Sequence, residues 1–194
     1  MARLVGNPAP YFKADALING QNKNISLDDY KGKWTVLFFY PLDFTFVCPT
    51  ELVAFSDATD KFKAMNCELI GCSVDSFFSH LAWTKQSRNE GGLGEVKYPI
   101  LADLDKKIAR DYEVLVNDSV ALRGTFIIDD KGVIQHSTIN NLSVGRSVDE
   151  TLRLVEAYQM TAKTGEVCPA NWKKGADTMK PDTQGSKAWF KKNA

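Results

Sequence analysis

Apolar positions along this chain follow two different periods. Thr35-Val36-Leu37-Phe38-Phe39-Tyr40 is a continuous run rich in β-branched and aromatic residues, which predicts a buried strand. From Cys48 on the spacing changes. Leu52, Phe55, Phe62 and Met65 fall on one helical face, with Asp57, Asp60, Lys61 and Lys63 elsewhere. A helix is therefore expected to start at or just before Pro49. Cys67–Val74 reads as a second strand, giving a β-α-β unit with parallel strands and helices over the sheet. Ser76–Gln86 predicts another helix, carrying Leu81 and Trp83, and Asp105–Tyr112 a short one. Arg123–Asp129 and Val133–Ile139 are strands joined by the turn Asp130-Lys131-Gly132, so they form an antiparallel hairpin. Ser147-Val148-Asp149-Glu150 is a capping box opening a helix with Val148, Leu152, Val155 and Tyr158 inward, ended by Gly165.

Three segments fall outside these periods. Residues 1–33 read as an extended lead-in, with a turn at Asn19-Gly20 and one helical turn at Ser26-Leu27-Asp28-Asp29-Tyr30. Asn89-Glu90-Gly91-Gly92-Leu93-Gly94 has no following Lys-Ser/Thr and does not lead from a strand into a helix. It reads as a loop with special backbone angles and not as a phosphate cradle. Beyond Gly165 the chain is polar, with sparse apolar residues at Val167, Trp172, Met179, Trp189 and Phe190. A polar tail that keeps two tryptophans is expected to dock, with a partner subunit as the expected surface. The expected organisation is one α/β domain over residues 1–165 and an extended C-terminal arm over 166–194. The element order is that of a thioredoxin-like fold, a central mixed sheet flanked by helices.

Composition narrows the function. Lys plus Arg and Asp plus Glu both number 24, so charge gives no reason to expect nucleic acid or an anionic membrane as partner. No apolar run approaches the roughly 20 residues that span a bilayer, and the first residues lack a signal-peptide core. The expected compartment is the cytosol, where a functional cysteine pair is usually transient and catalytic. The four cysteines do not read as a zinc site. No Cys-x-x-Cys is present, His80 and His136 are isolated, and Cys67 and Cys72 sit on opposite faces of one strand as structural residues.

Cys48 is different. It lies where a strand hands over to a helix N-terminus, so unpaired N–H groups and the helix dipole favour a thiolate over a thiol. Pro49 suits the first helical turn and biases the residue before it away from helical angles, which places Cys48 at the N-cap or in the first turn. The fourth position is Glu51, so Cys48 has no adjacent resolving thiol. The candidate resolver is Cys168, in Glu166-Val167-Cys168-Pro169-Ala170-Asn171-Trp172, at the start of the arm and in the same Val-Cys-Pro context. One fixed and one movable thiol suit a cycle in which the first is oxidised to sulfenic acid and the second condenses with it.

At these residues a resemblance becomes specific. Pro41, Thr45 and Cys48 match the Pro-x-x-x-Thr-x-x-Cys signature of peroxiredoxins. Glu166-Val167-Cys168-Pro169 with Asn171-Trp172 resembles the resolving segment of the typical two-cysteine subfamily. The likeness continues through Leu122-Arg123-Gly124 and Val144-Gly145-Arg146-Ser147 and covers nearly the whole chain. It implies roles. Cys48 would be the peroxidatic nucleophile, Thr45 would orient the peroxide and Pro41 would shield the site. Arg123 would hold thiolate and transition-state oxygens, with Glu51 and Arg146 as polar support and Cys168 of a second subunit as resolving thiol. It further implies hydrogen peroxide and alkyl hydroperoxides as substrates, thioredoxin as reductant, and a homodimer assembling into a ring of dimers. No metal, flavin or haem is expected. In peroxide-sensitive members a Gly-Gly-Leu-Gly loop and a C-terminal Tyr-Phe clamp the active-site helix. This chain carries the loop at Gly91–Gly94, and Trp189-Phe190 where Tyr-Phe is usual. A holdase chaperone with a thiol switch and a general thiol–disulfide oxidoreductase are the alternative functions.

Overall fold

The computed structural model describes residues 4–193 of the 194. They divide into two compact units, one up to Val148 and the other from Asp149 on.

The first unit is built on a seven-stranded mixed sheet. Its strands are β1 (Lys13–Ile18), β2 (Gln21–Ser26), β3 (Trp34–Phe39), β4 (Cys67–Ser73), β5 (Ile100–Ala102), β8 (Arg123–Ile128) and β9 (Ile134–Asn140), in the order β2-β1-β5-β4-β3-β8-β9. Strands β6 (Leu115–Val116) and β7 (Val120–Ala121) make a separate small pair. The apolar run becomes β3. It is paired in parallel to β4 and antiparallel to β8, and all six of its residues are buried, as an unbroken apolar strand requires. The hairpin forms as expected, β8 against β9.

Several expectations are corrected. The lead-in is a β-hairpin at the sheet edge, in which Asn19 and Gly20 (φ 50° and 75°) make the two-residue turn and β1 bonds to β5. Residues 1–3 lie outside the described part. The helix after Cys48 does not run on to Met65. It breaks at Ala58 into α1 (Cys48–Asp57) and α2 (Thr59–Lys63), and Met65 falls in the turn beyond. The Thr59 hydroxyl donates to the Phe55 carbonyl at this junction, a side-chain competitor to the helix ladder. Leu52, Phe55 and Phe62 stay buried across the break.

Helix α3 (Phe77–Lys85) is capped by the Ser76 side chain, which accepts from the Ser79 N–H. The glycine-rich loop folds back on its end. Gly91 and Gly94 have φ of 79° and 61°, and a Cβ on Gly92 would lie 2.2 Å from the Gln86 carbonyl oxygen. Helix α4 (Lys107–Asp111) is anchored by Asp103, whose carboxylate accepts from the Ile108 and Ala109 N–H groups. The core gathers Leu37, Phe39, Ile70, Tyr112, Phe126 and their neighbours under the sheet.

The second unit holds most of α5 (Val148–Thr164), the segment with Cys168, and α6 (Thr183–Asn193). Of the positions expected inward on α5, Val155 is buried, while Val148, Leu152 and Tyr158 are half-buried. Gly165, with φ 72°, ends the helix and bonds back to Thr161. The stretch read as an extended arm contains α6, which sequence reading missed. Polar residues make up most of it, so no helical stripe stands out. Asp182 caps it by accepting from the N–H groups of Gln184 and Gly185. No helix among the described residues is long and apolar enough to cross a membrane.

Candidate active site

The strand-to-helix hand-over puts Cys48 at the first residue of α1. Val47 precedes it with helical angles (φ −83°, ψ −37°), so the chain begins to coil one residue earlier than the proline alone suggests. Pro49 occupies the second helical position. Its missing N–H is one of the four that have no intrahelical partner at a helix start. Thr50 closes the turn, its N–H and its hydroxyl both donating to the Val47 carbonyl.

The sulfur is buried, and what faces it is a cation. Arg123 Nη1 donates to Cys48 Sγ at 3.3 Å and to Glu51 Oε2 at 2.6 Å. The opposite side of the same guanidinium, Nε and Nη2, donates to the Leu142 carbonyl at 2.9 and 2.6 Å. Arg123 opens β8, Glu51 lies one turn along α1 from Cys48, and Leu142 belongs to the loop after β9. Three elements thus aim one planar group at one sulfur.

Glu51 is shared. Its carboxylate also accepts from Arg146 N, Nε and Nη2 at 2.8, 2.8 and 3.1 Å. Arg146 Nη1 donates to the Phe39 and Gly124 carbonyls, and its Cζ lies 5.3 Å from the Phe38 ring centroid. All three charged side chains are at least 96 % buried, since their exposures are 4 %, 2 % and 4 %. Two cations around one carboxylate leave a net positive charge beside the sulfur.

The loop between β3 and α1 carries the other two residues singled out in the sequence. Pro41 is buried, and the Thr45 hydroxyl donates to the Leu42 carbonyl at 3.0 Å. A buried polar cluster pins this loop. Asp43 accepts from the Tyr40 hydroxyl at 2.8 Å and faces His80 Nδ1 at 2.8 Å, while its N–H donates to Asp75. His80 Nε2 faces the Leu101 carbonyl at 3.2 Å. Burial, reinforced by Asp43, raises the Tyr40 phenol well above its ordinary value. Phe44, at φ 54°, is a bulky residue in the left-handed region, with its ring against Trp83. Sequence reading missed this cluster. The signal was Asp43, an acid between aromatics where burial demands partners.

Cys168 lies in the second unit. Its Sγ is 3.7 Å from the Ala157 carbonyl, and Val167 beside it pairs with Met179. Burial pushes the thiol up and the charge of Arg153 pulls it down, with the net direction upward. Cys67 and Cys72 are buried in β4, where desolvation pushes Cys67 up to about 12 and Cys72 well above the ordinary value. Among the described residues no group of three or more His, Cys, Asp or Glu side chains is placed to hold a metal ion.

Residues 5–137 match the AhpC/TSA family, and residues 157–193, which include Cys168, match the C-terminal domain of 1-Cys peroxiredoxin. The chain is 60 % identical over 191 residues to Peroxiredoxin-1 of Gallus gallus, covering 97 % of this chain and 96 % of that one. It is 58 % identical over 190 residues to Peroxiredoxin-2 of Bos taurus, with the same coverage. The reduced 2-Cys peroxiredoxin of Plasmodium vivax superposes with a TM-score of 0.96 at 48 % identity, covering 98 % of this chain and all of that one. On these matches the chain belongs to the peroxiredoxins of the AhpC/TSA family, which are thiol-dependent peroxidases.

Proposed function

We propose that Cys48 is the peroxidatic nucleophile and that the chain reduces hydrogen peroxide and alkyl hydroperoxides in two thiol steps. The observation that carries this is the 3.3 Å bond from Arg123 to Cys48 Sγ at a helix start. In the first step a sulfur electron pair forms an S–O bond to the terminal peroxide oxygen as the O–O bond breaks. The leaving oxygen takes a proton and departs as water or alcohol, and Cys48 remains as sulfenate. Arg123 stabilises the charge on sulfur before attack and on oxygen during it. Thr45 orients the peroxide and Pro41 excludes water, while Glu51 and Arg146 hold Arg123 in position.

In the second step Cys168 of another subunit attacks the sulfenic sulfur and hydroxide leaves as water. Cys48 is fully buried, so the first turn of α1 has to open before a second thiol reaches it. Two surfaces support a homodimer that assembles into a ring of dimers. Strand β9 ends the sheet; Ile134 at its start bonds to Gly6 and Asn7, and beyond it no further strand pairs with β9 among the described residues, an open edge fit for another strand. Exposed Phe78 and Leu104 flank a cleft of ≈ 700 Å³ and offer a second apolar contact. A dithiol protein, thioredoxin in a cytosolic setting, reduces the disulfide.

Steady-state peroxide consumption with thioredoxin and its reductase tests the reading. Turnover that is lost in Cys48→Ser and in Cys168→Ser is expected. Binding of unfolded clients without turnover would instead make the chain a holdase, and insulin reduction without peroxide turnover a general oxidoreductase.

A further inference from the structure

Cys168 is held in this fold. The turn Cys168–Trp172 rests against one face of α5 at both ends. At one end Cys168 Sγ lies 3.7 Å from the Ala157 carbonyl. At the other, Arg153 Nη1 donates to the Trp172 carbonyl at 2.9 Å. Arg153 and Ala157 are four residues apart on the helix, hence on the same face. Trp172 makes the anchor firm: it is 2 % exposed, its N–H bonds to the Pro169 carbonyl, and its indole N–H donates to the Ala176 carbonyl. On its other edge Arg153 donates to Glu150, from Nε and Nη2 each at 2.7 Å.

We propose that Arg153 is a positioning residue of the resolving step, seating the Cys168–Trp172 turn on α5 and favouring the Cys168 thiolate that attacks the Cys48 sulfenate. The proposal rests on Cys168 being the resolving thiol. The chemistry needs it because the thiolate is the attacking species, and two features of the seat oppose its formation. Burial disfavours the charge, and the Ala157 carbonyl suits a protonated S–H but repels a bare anion. Arg153 is the charged group acting the other way on the sulfur. Glu150 tempers Arg153. Of the other charges in this unit, Lys174 is engaged with Glu156, and Glu166 accepts from the Thr178 hydroxyl. Condensation balances without another reactant: Cys168 gives up its proton, the S–S bond forms as the S–O bond breaks, and the released hydroxide takes a proton to become water.

The test is the pH profile of Cys168 alkylation by iodoacetamide in the full-length Cys48→Ser chain, which reads the thiolate without any catalysis. Arg153→Gln should move the profile to higher pH and slow alkylation at pH 7 by roughly three- to tenfold. Arg153→Lys, which keeps the charge, should stay within about twofold of the parent. Glu150→Gln, which frees Arg153 from its carboxylate, should move the profile to lower pH and so judges the proposal even where Arg153→Gln does not fold. With Cys48 restored, peroxide-driven disulfide formation should slow in Arg153→Gln by a similar factor. Coincident profiles for the parent, Arg153→Gln and Glu150→Gln would overturn the role of Arg153. If the unsubstituted chain forms no Cys48–Cys168 disulfide with peroxide, it is the resolving role of Cys168 that fails, whatever the profiles show.

Discussion

Arg123→Met removes the cation from Cys48 while keeping a side chain of similar length. Four bonds vanish with it: one to Sγ, one to Glu51 and the two of the fork onto the Leu142 carbonyl. Glu51 keeps its three bonds to Arg146, so the carboxylate is not stranded. The stability loss should then sit below the roughly 3–5 kcal/mol typical of a broken buried pair, and the variant should fold. The effect on rate is separable. A charge-assisted hydrogen bond is worth about 1.5–3 kcal/mol, which at about 1.36 kcal/mol per tenfold is roughly ten- to 150-fold in the rate of Cys48 oxidation. If Arg123 also meets the developing charge on the peroxide oxygen, the loss should reach the roughly 10²–10³-fold of an oxyanion donor. Rapid-quench mass spectrometry after one equivalent of peroxide, scored for one added oxygen on Cys48, measures it. Arg123→Lys should fall between, because a point charge cannot serve sulfur, Glu51 and Leu142 from one position. A folded Arg123→Met that oxidises within threefold of the parent would refute the reasoning.

In the native protein at pH 8, iodoacetamide should label Cys168 and leave Cys67 and Cys72 unmodified, because burial holds the latter two protonated; labelling at the Cys168 rate would contradict their structural role. Burial raises Asp103 to about 6, against the opposing Ala109 and Ile108 N–H bonds, so the folded chain binds this proton more tightly than the unfolded one. Its contribution to stability therefore grows as pH falls from 6 towards 4, and the denaturant-midpoint advantage of the parent over Asp103→Asn should be larger at pH 4.5 than at pH 7. Truncation before Ser186 removes Trp189 and Phe190, which pack edge to face 5.4 Å apart. It should speed disulfide formation and raise the peroxide dose that converts Cys48 to sulfinate, and equal sulfinate in both forms would exclude a clamp.

How much was legible depended on whether a signal was local. The run Thr35–Tyr40, the hairpin turn at Asp130–Gly132 and the Cys48-Pro49 helix start are encoded by neighbouring residues, and each element formed where its period predicted. Helix α6 was not legible, since polar residues cover most of it. Nor was the break at Ala58, where Leu52, Phe55 and Phe62 keep an apolar stripe across two helices. The site divides in the same way. Cys48 announces itself by position. Arg123, Glu51 and Arg146 come together only through pairing of β3 with β8 and the loop after β9, and composition alone reads each as a surface charge. They were reached through the family signature. The Leu142 carbonyl and the Asp43–His80 pair lay beyond even that, because a backbone acceptor and a buried acid leave no motif.

The central claim is that Cys48 and Cys168 meet across two chains. Cys48→Ser and Cys168→Ser chains, co-expressed with distinct tags and treated with peroxide, test it directly on a non-reducing gel. Neither chain carries both thiols, so a covalent heterodimer, mapped by mass spectrometry to one Cys48–Cys168 bridge, is the predicted product. A wild-type disulfide that maps within a single chain, with no covalent heterodimer from the mixed variants, would contradict it.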